Sequence, residues 1–153
     1  MKISLITVCF NSEKTISRTI QSIINQNYSE IEYIIIDGGS TDSTLSVIQK
    51  YQRFISVVIS EKDEGMYDAI NKGIRLATGD LIGLLHSDDY YPNNQIITNV
   101  ISSFQYDVTL DIVIGDVAFL DRKNNISRYY SGEKFNFNIG IMPPHPSVFL
   151  KRK

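Results

Sequence analysis

The chain reads as an α/β domain, a mainly parallel sheet with helices on both faces. Three observations predict it. From Ile3 to Phe104, short apolar runs rich in β-branched residues alternate with stretches of helical periodicity, strand then helix, four times over. Strand–helix–strand units of this kind fold as right-handed crossovers onto a parallel sheet. After Asp107 the pattern changes to short strands and a turn, which predicts some antiparallel pairing there.

The elements follow in order. Ile3 to Phe10 is a buried strand broken by Asn11-Ser12, and Ile16, Ile20, Ile23 and Ile24 mark a helix with Ser12 as its expected N-cap. Ile31 to Ile36 is the second strand, ending in Asp37-Gly38-Gly39-Ser40-Thr41-Asp42. A short helix around Leu45 and Ile48 follows, capped by Asp42 or Ser43. Phe54 to Ser60 is the third strand and Glu61 to Gly65 a charged turn. Met66, Ala69, Ile70, Ile74 and Ala77 form the clearest amphipathic stripe, closed by Thr78-Gly79. Leu81 to Leu85 is the fourth strand, and Pro92 opens a helix carrying Ile96, Ile97, Val100, Ile101 and Phe104. Asp111 to Leu120 is strand-like, and Ile126 to Tyr130 returns after the turn at Lys123-Asn124-Asn125. Residues 131–146 read as a long aromatic, Asn- and Pro-containing loop, and Ser147 to Leu150 as a last strand.

Composition bounds the function. With 153 residues the chain is one domain with a real core. A hydrophobic content of 42%, a charged content of 21% and a net charge of −2 describe a globular protein without the basic surface that nucleic acid requires. Single Cys9, inside an apolar strand, reads as an inert buried thiol and fits a reducing compartment, the cytoplasm. No signal peptide is expected before the first strand, and no apolar run approaches the roughly 20 residues that span a bilayer. Peripheral attachment at the inner face of a membrane stays open.

The chemistry collects where three strands end. Asn11, then Asp37 with Gly38-Gly39, then Asp88-Asp89 fall in polar loops that meet along one rim, where open parallel sheets bind ligands. Two adjacent carboxylates cannot both sit inside a low-dielectric strand, so Asp88 and Asp89 are expected just past it. There they suit a hard divalent cation shared with phosphate oxygens. An Asp directly after a strand accepts hydrogen bonds from a base edge or a ribose diol. No Gly-x-Gly-x-x-Gly, P-loop, nucleophile elbow or Cys/His zinc spacing is present. The residues leave a carboxylate-lined nucleotide site with a divalent cation.

Four stretches, Ile6 to Asn11, Asp37 to Thr44, Ser60 to Gly73 and Gly79 to Asp89, resemble in order and spacing the inverting glycosyltransferases of family 2. That family has the GT-A fold, a Rossmann-like sheet. Asp111 to Asp116 and Pro144 to Phe149 match more loosely. The resemblance implies a transferase moving sugar from a nucleoside-diphosphate sugar, UDP-linked in most members, to a glycan or lipid-linked acceptor, with Mn or Mg as cofactor. It implies that Thr7, Asn11 and Asp37 hold the nucleoside, with Asp63 in the loop over the base. Asn71 would lie beneath the diphosphate, and Asp88 and Asp89 would hold the metal. Residues 1–106 would be the nucleotide-sugar-binding half of a single domain and 107–153 the start of an acceptor half, incomplete at its C-terminus.

Two departures stand out. Many members carry an Asp where this chain has His86, which we read as a strand-end histidine meeting a neighbouring backbone group, with ribose or metal contact as the alternative. His145, flanked by prolines, either completes the metal site or orders its loop. The family's catalytic base belongs to a later motif that this sequence lacks, so the base is expected beyond Lys153; Asp116 and Asp121 could approach an acceptor but do not match that motif. A sugar-nucleotide nucleotidyltransferase would carry a Gly-rich, Arg-containing loop after the first strand, where Phe10-Asn11-Ser12-Glu13 stands. A nucleotide-sugar-binding module without turnover is the reading from a different class.

Overall fold

Four parallel strands form one continuous block in the computed structural model, which describes residues 1–134 and 142–152. These are β1 (Ile3–Cys9), β2 (Ile31–Asp37), β3 (Val57–Ser60) and β4 (Leu81–Leu84). The crossovers contain α1 (Ile16–Ile24), α2 (Thr44–Gln49) and α3 (Met66–Leu76), and α4 (Ile96–Tyr106) follows β4. Beyond them come β5 (Ile112–Ile114), β6 (Val117–Leu120), β7 (Ile126–Tyr130) and β8 (Val148–Lys151). The middle of the long loop expected at 131–146, residues 135–141, and terminal Lys153 lie outside the described residues.

The main sheet has the order β3-β2-β1-β4-β8-β5, with β8 antiparallel to both its neighbours. The expected parallel block and the later antiparallel pairing are both present. The strand expected over Asp111 to Leu120 is in fact two, because Gly115 and Asp116 leave the sheet and β6 pairs with β7 as a separate hairpin.

Helices cover both faces. On one side α1, α2 and α4 bury Ile16, Ile20, Ile23, Ile48, Ile97, Val100, Ile101 and Phe104 against Ile3, Leu5, Tyr33 and Ile35. On the other, α3 sets Ala69 and Ile70 on Ile6, Val8, Ile34 and Ile36. A Cβ on Gly73 would stand 2.5 Å from Ile6 Cγ2, so the glycine is what lets α3 lie close on β1. Gly83 does the same for β8, since a Cβ there would meet the Phe149 ring at 2.9 Å.

Several boundaries differ from expectation; β3 starts at Val57, because Gln52–Phe54 form a 3-10 turn instead of its first residues. Ser12 does not cap α1, which starts at Ile16 after Thr15; its carbonyl accepts from the Thr15 and Ile16 amides, and its hydroxyl bonds elsewhere. Pro92 lies ahead of α4 instead of in its first turn. Gly79 is not a left-handed helix cap. It is small because a Cβ would stand 2.7 Å from the Ser4 amide nitrogen and 2.9 Å from the Lys2 carbonyl oxygen. That approach belongs to a polar cluster at the amino end of the sheet, where buried Glu32 accepts from Lys2 Nζ, Ser4 Oγ and both the amide and hydroxyl of Thr78.

Candidate functional site: the carboxyl rim of the sheet

The sheet order places β2, β1 and β4 side by side, so the loops carrying Asp37, Asn11 and Asp88-Asp89 share one rim. Hydrogen bonds lace them together. Asn11 adopts a left-handed backbone (φ 48°), which Asn tolerates better than most residues, and its amide donates to Ser40 Oγ at 2.8 Å. Its side-chain oxygen accepts from the Thr41 amide at 2.9 Å. Ser12 Oγ and Ser87 Oγ, 2.8 Å apart, tie this loop to the acidic turn.

Asp37 is fully buried, yet its carboxylate is well supplied with donors. Oδ2 accepts from the Ser40 amide at 3.0 Å and Ser60 Oγ at 2.7 Å. Oδ1 accepts from Ser40 Oγ and, at 3.6 Å, from Cys9 Sγ. The carboxylate thus organises the Gly38-Gly39-Ser40 turn, in which Gly39 has φ +82°. A base edge reaching Asp37 must first turn aside one serine hydroxyl. Burial, then the neighbouring Asp37 charge, push the Cys9 thiol well up from its ordinary value, which makes it the inert group expected.

Thr7 lies one layer beneath the rim. It has no exposed surface; its hydroxyl donates to the Leu85 carbonyl at 2.7 Å and accepts from Tyr33 OH at 3.1 Å. Thr7, expected to hold the nucleoside, anchors the residue that precedes His86. Asp63 is half-buried beside the Gly38 backbone, where a Cβ would stand 2.6 Å from Asp63 Oδ2. Asn71 is exposed on the second turn of α3.

The acidic turn lies past β4 as expected, with Asp88 exposed and Asp89 half-buried. Thr19 of α1, itself buried, holds the turn from below by donating to the Asp89 carbonyl at 2.7 Å. His86 departs from the reading made of it. It is 7% exposed, and neither ring nitrogen has a hydrogen-bond partner, so no backbone group satisfies it. Instead its ring lies 4.0 Å from that of His145, whose Nε2 is 3.4 Å from Asp89 Oδ2. Burial first, then His145, push the His86 imidazole below its ordinary pKa, against the pull of Asp89 and Asp88. Residues far apart in sequence, His86, Asp89 and His145, therefore form one cluster.

Sequence reasoning missed several residues of this rim. Ser40 and Ser60 hold Asp37, and their only signal is position, one in the turn after β2 and one at the end of β3. Phe10 is 61% exposed immediately beyond a strand in which all seven residues are buried. An apolar residue directly before a left-handed Asn was the available sign of it.

Known proteins share this fold. The profile described as glycosyl transferase family 2 matches residues 4–149. An uncharacterised glycosyltransferase of Mycobacterium tuberculosis is 36% identical over 102 residues, 66% of this chain and 39% of that protein. Chondroitin synthase of Escherichia coli is 32% identical over 126 residues, 81% of this chain and 18% of that protein. The crystal structure of S. aureus TarS 1-349 superposes with a TM-score of 0.78 at 22% identity, covering 99% of this chain and 47% of the other. The same protein in complex with UDP-GlcNAc gives 0.71 at 23% identity, covering 84% and 37%. The chain thus spans less than half the length of each of these. The parallel sheet, its inserted antiparallel strand and the matched residues agree: this chain belongs to glycosyl transferase family 2 and has the GT-A fold.

Proposed function

We propose that the rim is the donor site of a glycosyltransferase that takes sugar from a nucleoside-diphosphate sugar, with UDP as the preferred nucleotide. The observation that carries this reading is the buried, unpartnered imidazole of His86 beside Asp89 and His145, at the end of a rim already built for a nucleoside. A buried polar group without a partner costs about 1–3 kcal/mol, and such a group is retained where a ligand supplies the partner. The likeness to a protein solved with UDP-GlcNAc supports the choice of nucleotide.

In this reading Asn11, Asp37 and Asp63 receive the nucleoside, Phe10 offers its exposed ring to the base, and Asn71 lies under the diphosphate. Thr7 acts from behind by fixing Leu85. Among the described residues no three His, Cys, Asp or Glu side chains are gathered closely enough to hold a metal alone. Mg²⁺ at such sites takes one or two carboxylates and completes its shell with water and substrate phosphate oxygens, and Asp88 and Asp89 fit that donor set, with His145 beside Asp89. Bound there, the cation would offset the negative charge that builds on the leaving diphosphate. The protein's own share is to hold the two aspartates on a turn tied down by Thr19, Ser12 and Ser87. Transfer proceeds with inversion to a glycan or lipid-linked acceptor, as in polysaccharide biosynthesis, and the buried thiol supports a cytoplasmic setting. No helix among the described residues is long and apolar enough to cross a membrane, and peripheral association at its inner face is part of the proposal.

Calorimetry with UDP, GDP and ADP in the presence of Mn²⁺ tests the nucleotide; we expect UDP to bind and the others to bind at least tenfold more weakly. Binding of none of them contradicts the reading. Release of UDP from UDP-GlcNAc and UDP-glucose, followed with a glycan acceptor, separates transferase from binding module: tight binding with no release from any protein containing this chain favours the latter.

A further inference from the structure

A nucleoside-diphosphate sugar carries its nucleoside and its sugar on opposite phosphates, so the two need separate places beside the diphosphate. Taking the donor-site reading as given, the nucleoside lies over β1 and β2, where Asn11, Asp37 and Asp63 stand, and the diphosphate sits at Asp88-Asp89. The stretch of rim on the other side of the acidic pair runs over β8 toward β5. Because β5 runs parallel to β4, its carboxyl end opens on the same rim. Ile114 is paired with Val148, and the Gly115 amide donates to the Ser147 carbonyl at 2.9 Å. The next residue, Asp116, therefore flanks the His145–Ser147 turn on the side away from His86. It lies two strands over from β4, about 10 Å at the usual strand spacing. That is the reach of a hexose ring attached to the diphosphate.

We propose that Asp116 is the residue that receives hydroxyl groups of the donor sugar, and so takes part in choosing which sugar is used. Its side chain is exposed and held in place: Oδ2 accepts from Tyr129 OH and Oδ1 from the Gly132 amide at 2.9 Å. The two carboxylate oxygens accept about four hydrogen bonds between them, and Tyr129, Gly132 and Ser131 supply three, so capacity remains for a sugar hydroxyl. The same bonds, first from Tyr129 and then from Gly132, hold the Asp116 carboxyl below its usual pKa. Such a group is a steady acceptor and a poor proton abstractor, which separates this role from that of the catalytic base. Asp121 offers the contrast. It sits in the hairpin turn with its oxygens taken by the Lys123 and Asn125 amides and Asn125 Nδ2, so it serves the turn itself.

The test compares UDP with UDP-glucose, UDP-galactose and UDP-GlcNAc by calorimetry with Mn²⁺, in the unaltered chain and in Asp116→Asn and Asp116→Ala. The unaltered chain should bind at least one of these sugars more tightly than UDP. Both variants should keep UDP affinity within about twofold and lose that sugar-dependent gain, about tenfold for Ala and less for Asn. An unchanged gain overturns the assignment, as does an equal loss for UDP and UDP-sugar, which would mark Asp116 as structural. Absence of any gain in the unaltered chain also overturns it. Failure to bind UDP at all is a separate result, which removes the donor-site reading and this assignment with it.

Discussion

Asp37 and His86 stand on the same rim, beyond the two strands that flank β1, and are solved in opposite ways. Asp37 is buried and takes four hydrogen bonds from Ser40, Ser60 and Cys9. His86 is buried and takes none. A third buried group, Glu32 at the far end of β2, resembles Asp37 in being fully supplied by Lys2, Ser4 and Thr78. The difference teaches where the fold finishes its own bonding and where it leaves bonding to a ligand. Two of the three polar groups stabilise the fold directly; the third, in the proposed donor site, is a liability to it.

The comparison can be broken most forcefully at Asp37. Asp37→Ala strands the Ser40 amide and Ser60 hydroxyl, so it should lower stability by about 3 kcal/mol and weaken UDP and UDP-sugar alike. Urea unfolding and calorimetry read the two effects. A loss confined to the sugar-bearing ligand would move Asp37 out of the nucleoside site.

Glu32 is the control at the other end of the sheet. Burial alone would raise its carboxyl pKa, but the donors of Lys2, Ser4 and Thr78 outweigh this and hold it at about 2, below the ordinary 4.5. A carboxylate depressed in the folded state contributes stability that is present above about pH 4.5 and is lost as pH falls toward 2. Glu32→Gln should therefore cost about 2 kcal/mol at neutral pH and flatten the acid limb of the stability curve, with UDP affinity unchanged. A variant that keeps the same acid limb would show that other carboxylates set it.

The smallest effect, and the most discriminating, is expected at His86. Replacing an unpartnered buried imidazole with an apolar side chain of similar size relieves a desolvation penalty, so His86→Leu should gain about 1 kcal/mol while weakening Mn²⁺-dependent UDP binding. Loss of stability in thermal unfolding would mean that the ring nitrogens are satisfied within the fold.

Much of the rim was legible because strand–helix alternation alone places successive strand ends on one side. Asn11, Asp37 and the acidic pair all came out there. Thr7 did not, for a physical reason: every residue of β1 is buried, so the strand shows no polar alternation to reveal which face Thr7 takes. Ser12 looked like a cap, but its amide donates to Thr44 Oγ1 and its hydroxyl faces Ser87, contacts set by folding and not by local spacing. The meeting of His86 with His145 depends on β8 entering between β4 and β5, a long-range event that neither histidine's neighbours announce. The two halves differ in the same way. Among the described residues, Phe149 is the one fully buried apolar side chain beyond Phe104, so hydrophobic patterning is strong before residue 106 and faint after it.

The central claim is that Asp88 and Asp89 bind the diphosphate of a nucleotide sugar through a divalent cation. Its most direct test is calorimetric titration of UDP into this chain with Mn²⁺ and, separately, with a chelator, for the unaltered protein and for Asp88→Asn and Asp89→Asn. The account predicts binding that needs the cation and falls at least tenfold in each variant, with circular dichroism unchanged because both residues lie past the end of β4. UDP binding of equal strength with and without the cation, or undiminished in both variants, would contradict it.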